Sequence, residues 1–449
     1  MGASKELTKG HPFKVMLHFS LPLFVSVVFQ QFYSLADSMI AGVYAGEDAL
    51  AAIGASYPVT MVFMSVCFGW NIGISIVTSR FFGASDDKKL CEAVKTALIA
   101  SIVCSLVLTI AGLLSGKAML GLLDTPENIF KDSSVYLNIY LLGFVFLFFY
   151  NVCNGIFTSM GDSLTPLLLL IASSVANVIL DLLFVGRFHM GVAGAAWATF
   201  IAQGIVGVIS FIVLLRRILR SYGAVFKSSR FSGKALGLLI RMSVPSILQQ
   251  AFVSVGNLFI QSFVNSFESS VCAGYTAAIK LNTFAVNSSF TFGNAMSTYA
   301  GQNLGAGKID RIKSGLRYNV IMNIVLAFLF SAAFLIFALP LISMFMDSEQ
   351  STLAIATGVD FIHIVAPFYV FMAVKLSSDG ALRGMGKMNA FMISTFLDLL
   401  LRIVFSAVLK GPFKATGIWM SWPTGWIIGC VVSLLLCIRV LKRRFSEKM

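Results

Sequence analysis

Twelve apolar stretches long enough to cross a bilayer run through this 449-residue chain and leave little freedom in its fold. They lie at roughly 13–43, 49–80, 92–115, 133–158, 163–187, 192–217, 236–266, 271–300, 312–338, 354–380, 388–410 and 415–440. A span needs about 20 apolar residues to cross the hydrocarbon layer. The expected fold class is therefore all-α: a polytopic membrane protein with twelve transmembrane helices. With 57% hydrophobic and 12% charged residues, the chain cannot be read as a string of soluble domains. The seven cysteines are scattered without a CxxC or CxxH spacing, so neither a disulfide frame nor a zinc site is expected. The N-terminus, MGASKELTKGHPFK, is short and polar, and no small-residue cleavage site follows the first span. It reads as a retained signal anchor. Glu6 stands where a myristoylation motif needs Ser or Thr, so lipidation is not implied.

Basic residues set the orientation. With the N-terminus inside, 25 Lys and Arg fall on the cytoplasmic side and five on the outer side. The inner set runs from Lys5, Lys9 and Lys14 through the cluster Arg216 to Arg241, and ends at Lys448. The outer set is Lys117, Lys131, Arg187, Lys410 and Lys414. Both termini are thus expected in the cytoplasm, at the plasma membrane. The net charge of +13 is a topology signal, helped by anionic headgroups, and does not point to nucleic acid.

The second half repeats the first at an offset near 223. FFGASDDKKL (81–90) lies over NLGAGKIDRI (303–312), and Leu21-Pro22 over Val244-Pro245. Leu123-Asp124 matches Met346-Asp347, Met160-Gly161 matches Met385-Gly386, and Gly194 matches Gly417. Six spans per repeat give both halves the same orientation, related by an axis along the membrane normal. The expected domains are 1–217, a cytoplasmic linker at 218–235, and 236–449. Such architectures usually bind cargo between the lobes near the midplane.

The first span carries the sharpest chemical signal. Asp37 sits inside an apolar run that contains no basic residue. A carboxylate at that depth costs on the order of 3 kcal/mol, so it should face a cavity or hold a proton. Gln30, Ser34 and Asp37 fall at i, i+4 and i+7, and with Tyr33 they make a polar stripe that could line a substrate cavity. Pro22 removes a helical donor and lets this helix bend, which makes it a hinge candidate. In the fifth span Ser173, Asn177 and Asp181 stack on one face, and Thr199 adds an oxygen in the sixth, near Trp197 and Gln203. Two carboxylates, an amide and a hydroxyl are hard oxygen donors. They suit a shared proton or a directly coordinated Na⁺. The alternative is that the acids hydrogen-bond neighbouring helices or pair with an intramembrane Lys.

The second half differs. Its membrane-depth charges are Lys280, Lys375, Asp398 and Arg402, with Asp360, Asp379 and Arg383 nearer the span ends. Asp398 and Arg402 are spaced i, i+4 and can neutralise each other as a structural ion pair. Lys280 and Lys375 either balance acids or line a watery lumen, and with Arg402 they complete the substrate-cavity candidates. His363 reads as a hydrogen-bonded helix residue. No nucleophile–base set appears, and Gly-Ala-Gly at 305–307 lacks the Lys-Ser/Thr of a phosphate loop, so an enzyme is not expected.

Taken together, the chain resembles the multidrug and toxic compound extrusion (MATE) transporters. The resemblance rests on the Ser-Leu-Pro entry to span 1, DSMIAG (37–42), GEDALAAIGASYP (46–58), FFGASDDKK, QNLGAGK, MGDSLTP (160–166) and LRGMGK (382–387). It implies two six-helix lobes that exchange H⁺ or Na⁺ for organic cations, working as a monomer without a cofactor. It also implies an ion site of Asp37, Asn177, Asp181 and Thr199. Another branch of that family uses a Glu early in helix 7 and an Asp within helix 10. Here those stretches read SILQQAFVSVGN and YVFMAVKLSS, without an acid. The main rival is a flippase for lipid-linked saccharides of the same superfamily, which needs Arg and Lys such as Lys280, Lys375 and Arg402. A membrane-embedded enzyme or receptor and a major-facilitator carrier fit less well, the latter because RFFGASDDKK lacks its basic signature.

Overall fold

The computed structural model describes residues 6–345 and 351–446; Lys5, Lys448 and the Met346-Asp347 pair lie outside them. Among the described residues there are helices and turns and no strands. Ten helical stretches are long and apolar enough to cross a membrane. The remaining two crossings were legible by spacing but are disguised in the structure. One is α8 (Ser269–Gly305), whose many Ser, Thr and Asn side chains dilute its apolar character. The other arises because α13 (Met388–Ser446) is two arms joined at Lys414, where φ is 51° and ψ is −135°. Pro412 has no N–H to continue the first arm, so the chain turns without a separate loop.

Among the described residues the first compact unit comprises Glu6 and 28–250, and the second comprises 7–27, 251–345 and 351–446. Two helices are therefore divided: α1 (Pro12–Ile40), which contains Pro22, and α7 (Gly233–Val264), which contains Pro245. Residues 218–235, read as a linker, are helical up to Ser228 in α6 (Gly191–Ser228) apart from a kink at Tyr222, where φ is −133° and ψ is 22°, and again from Gly233. Lys95 holds the end of α6 by donating to the carbonyls of Phe226 (2.9 Å) and Ser229 (2.7 Å).

The sequence repeat reappears in the backbone. Ser85 and Gly307, which align in the two basic-flanked loops, both have positive φ, 53° and 70°. Gly161 and Gly386 likewise share φ of 79° and 70°. These are left-handed turns that reverse the chain after a helix.

Within the first unit, α4 (Glu127–Ser159) is central and packs on α2 (Glu47–Gly83), α3 (Asp87–Leu122) and α6. Its Phe144, Phe148 and Phe157 are fully buried. Within the second, the tenth crossing is α11 (Thr352–Val365) and α12 (Tyr369–Gly384), joined by a tight turn at Pro367. It packs on α8, α13 and α9 (Ile309–Ile336). Tyr275 stacks on Trp419 at 5.1 Å, and Phe361 meets the same ring edge-on.

The α8–α12 contact is close enough to be tested. A Cβ on Gly380 would lie 2.1 Å from the Gly293 carbonyl oxygen, and one on Gly384 would lie 2.1 Å from that of Ser297. Backbones approach this closely only through small residues. Gly380→Ala is expected to destabilise the second unit by roughly 1–3 kcal/mol through overpacking. The check is a lower melting temperature of the purified chain, while Gly411→Ala, with open space around it, leaves melting unchanged.

The start of α1 is also fixed. Arg311 donates to the carbonyls of Gly10 (2.8 Å), Leu7 (3.3 Å) and Lys9 (3.3 Å), and Lys308 donates to that of Thr8 (3.0 Å). Leu7 itself donates to Gln302 (2.9 Å) and is buried. The QNLGAGK loop thus clamps the segment that leads into the helix carrying Asp37.

Candidate functional site

In the first unit three helices bring the expected ion-site residues together. Helix α5 (Leu164–Asp181) is preceded by Asp162, whose Oδ1 accepts from the N–H groups of Leu164 and Thr165, both at 3.1 Å. Its Oδ2 accepts from the Thr165 hydroxyl (2.6 Å) and is ion-paired with Arg217 of α6. The motif MGDSLTP is therefore a cap that locks the start of α5 to α6. With α5 so held, Asn177 and Asp181 are buried, at 2% and 1% exposure.

The Asn177 amide is satisfied in one orientation. Its nitrogen donates to Asp181 Oδ2 (3.1 Å) and to the Tyr33 hydroxyl (2.7 Å), and its oxygen accepts from the Thr199 backbone N–H (3.1 Å). One side chain thus ties α1, α5 and α6. Thr199 joins through its backbone, a contact that residue type alone could not reveal. Asp37 on α1 and Asp181 on α5 lie close enough for each carboxyl to act on the other's charge. Two carboxylates held close at membrane depth are costly unless a proton or a cation comes between them. Asp181 Oδ1 is buried, and no N–H or O–H donor reaches it. An oxygen in that state is satisfied by a proton or a cation.

Both acid-bearing helices end in a wide, π-helical turn just past their acid. On α1 the turn is Ala41–Ala45, and on α5 it is Leu182–Arg187, beginning at the residue after Asp181. The two turns pack together, with Gly186 facing the Tyr44 ring. Such turns carry an extra residue per turn and recur at functional sites. Sequence reasoning missed them; the glycines at 42, 46 and 186 were the available signal.

The other candidates separate. Tyr33 belongs to the site through its hydroxyl, whereas Gln30 and Ser34 are exposed on α1. Ser173, one turn further from Asp181, is half-buried. Pro22 lies inside α1 without breaking it, and the Ser26 hydroxyl donates to its carbonyl (2.9 Å). An apolar groove of about 460 Å³ between α4 and α6, lined by Phe146, Phe200, Gly204 and Val208, carries none of the candidate residues.

The second-unit charges form a network of their own. Lys375 Nζ donates to Asp379 Oδ2 (2.8 Å) and lies 3.5 Å from Asp398 Oδ2. Arg402 Nη2 reaches both Asp398 oxygens at 3.4 and 3.5 Å, with its guanidinium 4.2 Å from the Trp422 ring. The expected Asp398–Arg402 pair is thus present, and Lys375 extends it. Asp379 and Arg383 lie towards the end of α12, as the sequence placed them, and are also buried, at 2% and 1% exposure. Arg383 donates to Asn294 (3.0 Å) and lies between the rings of Phe290 and Phe391. Lys280 is exposed and stands 5.3 Å from the Phe345 ring. Lys375 and Arg402 therefore spend their charge on carboxylates, which removes the basis for expecting them to hold an anionic headgroup. Among the described residues no group of three or more His, Cys, Asp or Glu is clustered for a metal.

Comparison with known proteins returns one family. The MatE family model matches this chain twice, at 22–183 and at 245–408. The two matches start 223 residues apart and end 225 apart, the offsets seen between the halves. The probable multidrug resistance protein YpnP of Bacillus subtilis is 27% identical over 417 residues, covering 93% of this chain and 90% of that one. YoeA of the same organism, also named a probable multidrug resistance protein, is 28% identical over 442 residues, covering 96% and 94%. Among solved structures, an outward-facing MATE family multidrug resistance transporter of the MOP superfamily superimposes with a TM-score of 0.91. It is 21% identical and covers 99% of both chains, a likeness of fold.

Proposed function

This chain belongs to the MatE family of multidrug efflux transporters, and from that premise we propose that it exports lipophilic organic cations in exchange for H⁺ or Na⁺. It is a multi-pass membrane protein, and in this reading it lies in the plasma membrane with both termini in the cytoplasm. The coupling ion binds at Asp37, Asn177, Asp181 and Thr199. The observation that carries the reading is the buried Asp181 carboxyl beside Asp37, one oxygen held by Asn177 and the other reached by no donor among the described residues.

The chemistry follows from charge. With one shared proton the pair carries a single negative charge, and a second proton or a Na⁺ neutralises it. Emptied of both, two carboxylates at membrane depth repel each other and demand a cation. An organic cation answers the same demand, so ion and drug exclude each other and bind alternately. Asn177 fixes the geometry by holding Asp181 against Tyr33 and Thr199. A bend at Pro22, on the same helix as Asp37, re-aims the acid between the two states. No covalent step is involved, in keeping with a transporter.

Reciprocity makes this testable, because each ligand must lower the other's affinity by the same factor. Purified protein in proteoliposomes is expected to move a fluorescent lipophilic cation when a pH or a Na⁺ gradient is imposed separately. Its equilibrium affinity for that cation is expected to fall as pH falls or as Na⁺ rises. Cation movement that persists at full rate with both gradients collapsed, or a drug affinity flat across pH and Na⁺, contradicts the proposal.

A further inference from the structure

The network around Lys375 has the construction of a cation site whose cation is covalently attached. Asp379, on α12, has its Oδ1 occupied by the hydroxyls of Ser394 (3.0 Å) and Ser433 (2.6 Å), which leaves Oδ2 to face Lys375 Nζ. Asp398, on the first arm of α13, offers Oδ2 to the same nitrogen from the other side. Carboxylate oxygens from two helices thus converge on one positive atom, and Lys375, Asp379 and Asp398 are all at least 94% buried.

The second arm of α13 is cut away to admit the stem. A Cβ at Gly429 would lie 2.8 Å from Lys375 Cε and 3.0 Å from Asp398 Cβ, and one at Gly425 would lie 2.6 Å from Asp398 Oδ1. Two glycines therefore make the cradle, and the lysine fills it.

We propose that the Lys375 ammonium is a tethered occupant of a monovalent-cation site formed by Asp379 and Asp398. The second unit is then self-neutralised and takes up no free ion. With the lysine shortened, the same two carboxylates accept a free monovalent cation, either Na⁺ or a primary alkylammonium. This inference stands on the second unit alone and survives failure of the first-unit coupling reading.

The test uses the full chain carrying Asp37→Asn and Asp181→Asn, so that any ion response comes from the second unit. Melting is followed in choline, sodium and propylammonium chloride, propylammonium being the fragment that Lys375→Ala removes. In choline Lys375→Ala is expected to melt about 3–5 °C below its parent, because a buried carboxylate has lost its partner. Propylammonium or sodium should recover at least half of that loss, while choline recovers none at any concentration. The parent, with Lys375 in place, should not respond. Lys375→Ala/Asp379→Asn, which no longer carries the excess negative charge and keeps the Asp398–Arg402 pair, should melt near the parent in all three salts. If Lys375→Ala fails to fold, Lys375→Gln, which keeps most of the stem along Gly429, carries the same comparison. Identical melting of a folded Lys375 variant in all three salts overturns the proposal. So does recovery by the added Asp379→Asn alone with no response of Lys375→Ala to any cation, which marks a structural ion pair and nothing more.

Discussion

Asp37→Asn is expected to abolish gradient-driven export while leaving the protein inserted and folded. The substitution is close to isosteric and removes a charge from membrane depth, so the cost of insertion falls. What it takes away is the capacity to hold a second negative charge. An amide facing Asp181 can donate to the orphan Oδ1 permanently, and the site then stays satisfied without a proton, a Na⁺ or a drug. An export cycle needs the site to lose its occupant and be driven to refill it. With Asn there the drive is gone, and transport should fall to the level of empty vesicles. Cells expressing the Asn variant at normal level should be as drug-sensitive as cells without the transporter. Full resistance in those cells would remove Asp37 from the coupling role. Tyr33→Phe is a milder probe, since it deletes one acceptor for Asn177 and leaves both acids in place.

The sequence reading succeeded where the signal is local and failed where it is tertiary. The twelve crossings were legible because a bilayer demands a long apolar run, and the repeat was legible because both halves answer the same demand. Asp37 was legible because an acid has no other reason to stand in such a run. Asn177 and Asp181 followed from helical spacing. The spacing i, i+4 gave Asp398–Arg402 directly. It could equally have given Lys375–Asp379, but neither pair says that Lys375 also meets Asp398 across two helices. Nor could composition place Asp379 and Arg383 inside the protein. Polar groups near a span end are exposed by default, and only packing reveals the glycine cradle at Gly425 and Gly429. The π-helical turns after both acids were invisible for a related reason, since their hydrogen bonds leave no periodic trace in so few residues.

The two units differ in charge at matched positions, and that difference supplies a large expected effect. The repeat offset of 225 carries Asn177 onto Arg402 and Asp181 onto Ser406, and the offset of 223 carries Asp37 onto Ile260. Ile260 is fully buried, and the Ser406 hydroxyl donates to that of Ser421 (2.7 Å), so neither position holds a negative charge. Where the first unit has an amide that holds an acid, the second has a guanidinium, which cannot deprotonate in a protein. Its charge is answered by Asp398, and removing that acid alone should be severe. Asp398→Asn leaves Arg402 without a carboxylate and takes one of two from Lys375, an imbalance that costs about 3–5 kcal/mol in a buried setting. Asp398→Asn with Arg402→Asn restores neutrality, because Lys375 and Asp379 remain paired at 2.8 Å. The double variant should therefore recover most of the lost stability and keep wild-type dependence of transport on H⁺ or Na⁺. Asn177→Ala and Asp181→Asn should do the reverse, weakening that dependence with a smaller loss of stability. Measuring melting and gradient dependence on the same four proteins separates structure from coupling. A double variant that is stable yet uncoupled, beside first-unit variants that transport normally, would place the ion site in the wrong unit.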